Sequence, residues 1–217
     1  MRKIIIAVIG IIFIGAICFV GFKNSETGVS ADTVLNATEE SGWISEKMIG
    51  DTDVAKVVIF EYADFGCGHC AEQNKVINEL VRKYNGEVAV VFRSYDLGFQ
   101  NGAVAARAAT AAQIQGYFEE YKNLLFDNQV EWLYESGDKL DGLWTSYFEQ
   151  ASGGDGDVDK FREDMKSDAV KKRLEFEQKL GKEVNLRGTP LFRINGENVS
   201  SSELAEEVEE IIGQLNI

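Results

Sequence analysis

Two of the three cysteines in this 217-residue chain flank its only histidine, in the tetrapeptide Cys67-Gly68-His69-Cys70. Thiols at this spacing can form a disulfide with each other, and the thiolate is the form of cysteine that attacks other sulfur atoms. The loop that such a disulfide closes is too short to stabilise a fold by restricting the unfolded chain. The spacing therefore predicts a reactive pair rather than a structural bridge.

Two other uses of the pair stay open. A structural zinc site usually has four ligands, and the remaining cysteine, Cys18, lies in an apolar N-terminal run, so only carboxylates could complete the set. An inert local disulfide is the second alternative. We expect neither a metal nor a dissociable cofactor, because two cysteines can carry a pair of electrons themselves.

The tetrapeptide lies between a predicted strand and a predicted helix. Residues 56–62, KVVIFEY, form a short β-branched and aromatic run that is typical of a buried strand. Residues 70–84 carry apolar side chains at helical spacing, and residues 88–92, VAVVF, predict a second strand. The pattern indicates a β-α-β unit with the cysteines at the start of its helix.

The start of a helix favours a thiolate, because unpaired backbone N–H groups and the positive end of the helix dipole lie there. Cys70 follows Cys67 by one helical turn on the same face, so either sulfur can reach the other. His69 adds an imidazole that can be cationic and favour the thiolate further. A stabilised thiolate is a good leaving group, which makes the disulfide form a stronger oxidant.

Beyond this unit the chain becomes helical. Residues 103–183 are alanine-rich and then amphipathic, and they predict four or five helices with breaks near Gly137 and at residues 152–157. Residues 190–194, PLFRI, predict a strand. Asn195-Gly196 is a strong hairpin signal, and the chain then predicts a final helix. The order is β-α-β, a helical block, and β-β-α.

Pro190 is the only proline, although average composition would give about ten in this length. It follows Thr189 and opens a predicted strand, where a missing N–H group is tolerated. A cis peptide bond is also easiest before proline. From proline statistics alone, an ordinary trans bond is favoured.

The N-terminal residues predict a membrane anchor. Residues 4–22 form an uncharged apolar run of 19 residues, which as a helix would span about 28 Å, close to the roughly 30 Å hydrocarbon core of a bilayer. Basic residues precede the run, so residues 1–3 are expected in the cytoplasm. The polar residues 23–44 predict a tether. Residues 45–217 then form the folded domain, with a helical insertion at about 100–183.

A cleaved signal peptide is the alternative, because Val29-Ser30-Ala31 loosely resembles a small-residue cleavage site. Either interpretation exports the domain to an oxidising compartment, in which disulfides persist. The formal charge is −14, and without Arg2, Lys3 and Lys23 there remain 36 acidic and 19 basic residues, a net charge of −17. Such a domain has no electrostatic basis for binding nucleic acid or anionic lipid surfaces.

Three motifs together resemble the DsbA-like family of exported thiol–disulfide oxidoreductases, which has a thioredoxin fold with a helical insertion. The motifs are EYADFGCGHC, AARAATAAQIQGYFEEYKNLLFDNQ and RGTPLFRING. The resemblance covers about residues 45–215. It implies an α/β domain in which the helical block separates the two halves of the thioredoxin fold.

The resemblance implies roles for the tetrapeptide. Cys67 would be the exposed nucleophile, Cys70 its buried partner, and His69 a group that tunes the redox potential. Gly68 departs from the family pattern, since many family oxidases have proline there, and Cys-Gly-His-Cys is the sequence found in protein disulfide isomerase. Because that protein is less oxidising than DsbA, isomerase or reductase activity stays open beside oxidase activity.

The resemblance also implies roles outside the tetrapeptide. Thr189 and a cis Pro190 would face the cysteines and help to hold substrate peptides in an extended conformation. Glu61, six residues before Cys67, matches a buried acid that relays protons to the partner cysteine. An exposed carboxylate at a sheet edge is the alternative for Glu61.

These expectations combine into one functional hypothesis. The protein is expected to be a single-pass, membrane-anchored, extracytoplasmic enzyme that introduces disulfides into reduced exported proteins. The resemblance implies a membrane-embedded partner that reoxidises it. The alternative from another class is a binding module that retains the fold without catalysis.

Overall fold

The computed structural model describes residues 31–215, which form five strands and eight helices. In chain order the elements are β1 (Lys47–Ile49), β2 (Val57–Ala63), α1 (Gly68–Lys83), β3 (Val88–Ser94), α2 (Gly102–Ile114), α3 (Phe118–Asp127), α4 (Gln129–Trp132), α5 (Gly137–Ala151), α6 (Val158–Asp164), α7 (Asp168–Glu183), β4 (Leu191–Ile194), β5 (Glu197–Val199) and α8 (Leu204–Leu215).

The strands form one sheet in the order β1-β3-β2-β4-β5. The central strands β2 and β3 are parallel and are joined through α1, as the sequence predicts. The other pairs are antiparallel. All seven residues of β3 are buried, as are all those of β2 except the half-buried Val58, because helices cover both faces of the sheet. This is the predicted thioredoxin fold with a helical insertion.

Alternate residues of β2 face opposite sides of the sheet. Ile59 and Ala63 belong to the larger apolar core, together with α1 and the insertion. Phe60 and Tyr62 belong to a smaller core on the other face, against α7. Glu61 alternates with Phe60 and Tyr62, so it lies on the face that carries α1 and the cysteines.

The insertion contains six helices rather than the predicted four or five. The break at residues 152–157 lies between α5 and α6, as predicted. Two further interruptions raise the number. Gly116, in the left-handed region at φ 86°, separates α2 from α3, because glycine adopts this conformation without a steric penalty. Asn128 separates α3 from the single turn of α4.

The predicted tether is wrong from residue 31 onward, because this polar segment packs on the domain. The guanidinium of Arg93 donates to the carbonyl oxygens of Ala31 and Thr33, the latter at 2.8 Å. Asp32 pairs with Arg193 at 2.5 Å, and β1 follows and pairs with β3. The segment is held by backbone carbonyls and ion pairs, so apolar periodicity could not reveal it.

A cluster of five charged side chains lies under this segment. All are almost completely buried: Glu46, Lys47, Arg93, Arg173 and Glu177. Glu46 accepts hydrogen bonds from Arg93 at 3.0 Å and from Arg173 at 2.5 Å. Glu177 accepts from Lys47 and from Arg173, the latter at 2.8 Å. This cluster joins the N-terminal segment, the sheet and α7.

None of the helices within residues 31–215 has the length and apolar character required to cross a membrane. The predicted membrane span at 4–22, the tip at 1–3 and the first part of the tether lie outside the described residues.

Candidate redox site

Cys67 lies between the end of β2 and the start of α1. It is the N-cap residue of that helix, with an extended backbone at φ −82° and ψ 118°. The first turn of α1 contains no acidic residue. The positive end of the helix dipole therefore acts on the Cys67 sulfur without an opposing charge from that turn, as the sequence predicts.

The two sulfur atoms differ in accessibility. Both cysteines are free thiols in the structure. Cys67 is 7% exposed and Cys70 is 0% exposed, so the predicted buried partner is buried, whereas the predicted exposed nucleophile is largely covered. One cause is close packing by the loop before β4, since the Thr189 carbonyl oxygen lies 3.4 Å from Cys67 Sγ. A partner thiol would therefore meet Cys67 before Cys70.

The two cysteines also differ in acidity. A hydrogen bond from the Cys70 thiol lowers the pKa of Cys67 to about 5, although burial works in the opposite direction. The backbone N–H groups of Cys70 and His69 contribute to the lowering. The same contact with Cys67, together with burial, raises the pKa of Cys70. At neutral pH the pair therefore holds one thiolate, on Cys67, and one thiol.

We expect alkylation of the reduced protein to report this difference. Because the pKa of Cys67 is about 5, reaction with iodoacetamide should rise with pH around 5 and be nearly constant above pH 6.5. An ordinary thiol of pKa about 8.5 would still gain about tenfold per pH unit there. The check is mass spectrometry of Cys67 alkylation rates between pH 3.5 and 8, with Cys67→Ser as the control. A midpoint near 8.5 would contradict the assignment.

Thr189 and Pro190 reach the cysteines because of the sheet register. Strand β4 runs antiparallel to β2 and pairs Leu191 with Tyr62, so the residues before β4 lie beside the loop that follows β2. The Thr189–Pro190 peptide bond is cis, as the resemblance implies. Both residues are half-buried. Their predicted role in substrate binding stays a prediction.

His69 and Gly68 are exposed at the start of α1. The His69 imidazole Nδ1 lies 3.0 Å from a Glu72 carboxylate oxygen, while the backbone N–H of His69 acts on the Cys67 sulfur. A side chain at Gly68 would meet only Gln129, at 3.9 Å. In the structure the backbone of His69 thus helps to lower the pKa of Cys67. Tuning of the redox potential by the His69 imidazole stays a prediction.

Glu61 is buried on the α1 side of β2, at 1% exposure, which excludes an exposed position at a sheet edge. Burial raises its pKa to about 7, although the charge of Lys122 acts in the opposite direction. One carboxylate oxygen of Glu61 has no hydrogen-bond partner. A group of this pKa can take up or release a proton near neutral pH, which suits the relay implied by the resemblance.

Lys122 on α3 is a residue that sequence reasoning missed. It is completely buried, and its ammonium donates to the Asn78 side chain of α1 at 3.4 Å. The one available signal was a lysine within the largely apolar stretch YKNLLF, which by itself predicts only a solvated position. The helical insertion thus places a positive charge near Glu61.

Asp64 was missed as well. It follows the last residue of β2 and is 2% exposed. Its carboxylate accepts from the backbone N–H groups of Gly66 at 2.8 Å and Leu97 at 2.7 Å. An acidic residue three positions before the first cysteine was the available signal.

Among residues 31–215, no three histidine, cysteine, aspartate or glutamate side chains lie close enough together to hold a metal ion.

The fold and this site indicate which family of proteins the chain belongs to. A family model described as Thioredoxin matches residues 44–214, and the chain belongs to that family. The DsbA-like architecture predicted from the three motifs is confirmed by solved structures. BdbD from Bacillus subtilis superposes with a TM-score of 0.66 at 18% identity, over 84% of this chain and 98% of that one. DsbA from Mtb superposes with a TM-score of 0.59 at 19% identity, over 78% of this chain and 93% of that one.

Among curated proteins the chain resembles parts of longer ones. It is 29% identical over 146 residues to Na(+)/H(+) antiporter NhaA 1 of Mycolicibacterium vanbaalenii, which is 65% of this chain and 22% of that protein. It is 33% identical over 144 residues to Na(+)/H(+) antiporter NhaA 3 of Salinispora tropica, which is 65% of this chain and 20% of that protein. The chain thus spans about a fifth of the length of these relatives.

Proposed function

We propose that the protein is a membrane-anchored, extracytoplasmic thiol–disulfide oxidoreductase that introduces disulfides into exported proteins. The observation that carries the proposal is the asymmetric pair at the start of α1. Cys67 has a pKa lowered to about 5, and Cys70 beside it is fully buried. A stable thiolate at the more accessible sulfur makes the disulfide form a good acceptor of electrons.

The cycle begins with the Cys67–Cys70 disulfide. A substrate thiolate attacks Cys67, a mixed disulfide forms, and Cys70 leaves and takes up a proton. A second substrate thiolate then attacks the substrate sulfur of the mixed disulfide, and Cys67 leaves as its stabilised thiolate. The substrate loses two electrons and gains a disulfide, while the enzyme gains two electrons as a reduced pair. A membrane-embedded partner is proposed to reoxidise it.

The surface around Cys67 supports a polypeptide substrate. Four large apolar side chains lie exposed on the two segments that border the cysteines: Leu97, Phe99, Val130 and Tyr134, at 41%, 43%, 89% and 78% exposure. We call these four the apolar rim. Several large apolar side chains exposed on neighbouring segments are typical of a surface that binds another protein. Reduced, unfolded proteins expose the apolar segments that would bind there.

A similar structure supports the chemistry, and the N-terminal sequence supports the location. The similar structure from Wolbachia pipientis is described as a thiol-disulfide exchange protein, alpha-DsbA2, and has a TM-score of 0.61 at 18% identity. The apolar run at 4–22 supports an anchor in the cell membrane with the domain outside.

The reduction potential of the Cys67–Cys70 pair tests the proposed direction of electron flow. With the stabilised Cys67 thiolate we expect a value between about −120 and −180 mV, the range from DsbA to protein disulfide isomerase. The measurement is equilibration in glutathione buffers, followed by oxidation of a reduced, unfolded test protein. A value near the roughly −270 mV of thioredoxin would make the protein a reductase, and a pair inert to glutathione would favour a binding module.

A further inference from the structure

The loop that ends at Cys67 and two segments that contact this loop are tied into a closed ring of hydrogen bonds. They are the redox loop (residues 64–67), the β3–α2 loop (residues 95–101) and the α4 segment (residues 129–135). The last two carry the apolar rim. Each junction of the ring is made by one polar side chain that bonds to backbone groups of a neighbouring segment.

The first junction is Asp64. Its two carboxylate oxygens accept from Gly66 N–H within the redox loop and from Leu97 N–H in the β3–α2 loop, at 2.8 and 2.7 Å. A side chain at Gly102 would approach the same carboxylate to 2.5 Å, so the start of α2 packs directly on it. A buried carboxylate with two short N–H bonds fixes both loops.

The second junction is Asn101, which joins the β3–α2 loop to the α4 segment. Its Nδ2 group lies within hydrogen-bond distance of the carbonyl oxygens of Trp132, Leu133 and Glu135, at 2.8, 3.1 and 2.9 Å. The two N–H groups of this one side-chain amide are thus shared among the carbonyl groups at the end of the α4 segment. Without the amide, the Leu133 and Glu135 carbonyls lose this donor, whereas the Trp132 carbonyl still accepts from the Glu135 N–H at 3.1 Å.

The third junction is Gln129, which closes the ring. Its Nε2 group donates to the Phe65 carbonyl oxygen of the redox loop at 2.6 Å. Packing reinforces the closure, because a side chain at Gly66 would lie 2.4 Å from Phe99 and 3.3 Å from Leu133. The redox loop is therefore in contact with both segments that carry the apolar rim.

We infer that Asn101 and Gln129 are positioning residues that hold the apolar rim in place around Cys67 as a preassembled surface for the polypeptide substrate. The inference rests on the proposed function. Loops are otherwise mobile, and ordering them on binding lowers affinity, whereas a surface ordered in advance avoids that loss. Neither side chain forms a hydrogen bond to a cysteine sulfur, so the effect of these two residues is expected on substrate binding rather than on the sulfur chemistry.

The test compares two glutamine variants. Gln129→Met removes the bond to Phe65 and retains most of the side-chain volume. Gln115→Met is the matched control, because Gln115 also joins two segments through its side-chain amide, with two bonds of 2.9 Å to the Asp157 backbone between the end of α2 and the start of α6. For each protein, KM and kcat for oxidation of a reduced, unfolded protein, with glutathione disulfide as the terminal oxidant, are measured beside the rate of exchange with glutathione.

For Gln129→Met we expect KM for the unfolded protein to rise about tenfold, as for the loss of one well-placed interaction, with kcat and glutathione exchange within about twofold of the wild type. Gln115→Met should match the wild type in KM, in kcat and in the rate of glutathione exchange. Asn101→Asp, which replaces the donor by an acceptor, should raise KM in the same direction. Amide hydrogen exchange of residues 129–135 should also accelerate in both ring variants.

The outcomes separate the two proposals. If the wild type does not exchange with glutathione, the proposed function fails. If the wild type is active and KM is unchanged in both ring variants, the inference is overturned. It is also overturned if glutathione exchange falls as far as activity on the protein substrate, because the glutamine would then act on the cysteines. Unchanged glutathione exchange also shows that each variant has folded.

Discussion

Cys67→Ser is expected to abolish thiol–disulfide exchange, with a loss of at least about 10³-fold, because removing a nucleophile typically costs several orders of magnitude. A serine hydroxyl has no accessible anion at neutral pH, and Cys70, at 0% exposure and with a raised pKa, cannot replace it. The measurement is oxidation of a reduced, unfolded test protein with glutathione disulfide as the terminal oxidant, in which turnover by the wild type and by the variant is followed by the loss of free thiols.

Cys70→Ser is the matched variant and has a different expected result. The Cys67 thiolate can still attack a disulfide of a test protein, which forms a mixed disulfide and releases one thiolate of that protein, but Cys70 is no longer present to displace Cys67, so the mixed disulfide should accumulate. It is visible as a larger species on non-reducing gels and disappears on reduction. Equal residual activity in Cys67→Ser and Cys70→Ser would contradict the role of Cys67, which is assigned as the sulfur that substrates attack in the disulfide form and as the nucleophile in the reduced form.

Glu177→Gln is expected to lower the free energy of unfolding by about 3 kcal/mol or more, because removing one partner of a buried ion pair leaves uncompensated charge. Glu177 is completely buried. It accepts from Lys47 and Arg173, and its second oxygen accepts from Ser94 N–H at 2.8 Å. The neutral amide of glutamine cannot balance the charges of Lys47 and Arg173. Its NH2 group would also be a donor at a place where the carboxylate has an acceptor oxygen.

Glu40→Gln provides the matched control. Glu40 pairs with Lys179 at 2.7 Å, but both side chains are about half exposed, and surface pairs contribute at most about 1 kcal/mol. The measurement is urea denaturation of the three proteins at pH 7, followed by circular dichroism. An equal effect of the two substitutions would show that the buried cluster does not stabilise the fold beyond an ordinary surface pair.

The contribution of Glu177 should depend on pH in a defined direction. Burial alone would raise its pKa, but the charges of Lys47 and Arg173 outweigh burial and hold the pKa below its usual value. A carboxylate with a depressed pKa stabilises the fold above its unfolded pKa of about 4.3, and this stabilisation is lost as the pH falls below that value. The difference between wild type and Glu177→Gln should therefore shrink between pH 5 and 3.

The local features of the redox site could be predicted from the sequence. The strand before Cys67 and the helix after it follow from side-chain periodicities over a few residues. The Asn195-Gly196 turn is observed between β4 and β5, with both residues at positive φ, 52° and 86°, because these residue types are favoured there. A thiolate at Cys67 follows mainly from the Cys70 thiol three residues on, with a contribution from the backbone N–H groups at the start of the helix, and both lie within the local sequence.

The features that surround the site were decided by tertiary structure. Lys122 is a buried charge near Glu61 only because α3 of the insertion packs on α1. Asn101 and Gln129 became candidates for positioning residues only when segments 31 to 64 residues apart met at the redox loop. Their side chains are ordinary polar residues in any local window, so no periodicity or turn preference distinguishes them.

The N-terminal segment shows the same division. Its polar composition predicts a tether, and by local rules that prediction is sound. The segment packs instead because Arg93, 62 residues away from Ala31, donates to its carbonyl oxygen from inside the domain. Every residue carries a backbone carbonyl, so the sequence does not mark which ones a distant side chain will bind. Composition and periodicity thus determined the elements and the reactive pair, whereas contacts between distant segments determined what surrounds that pair.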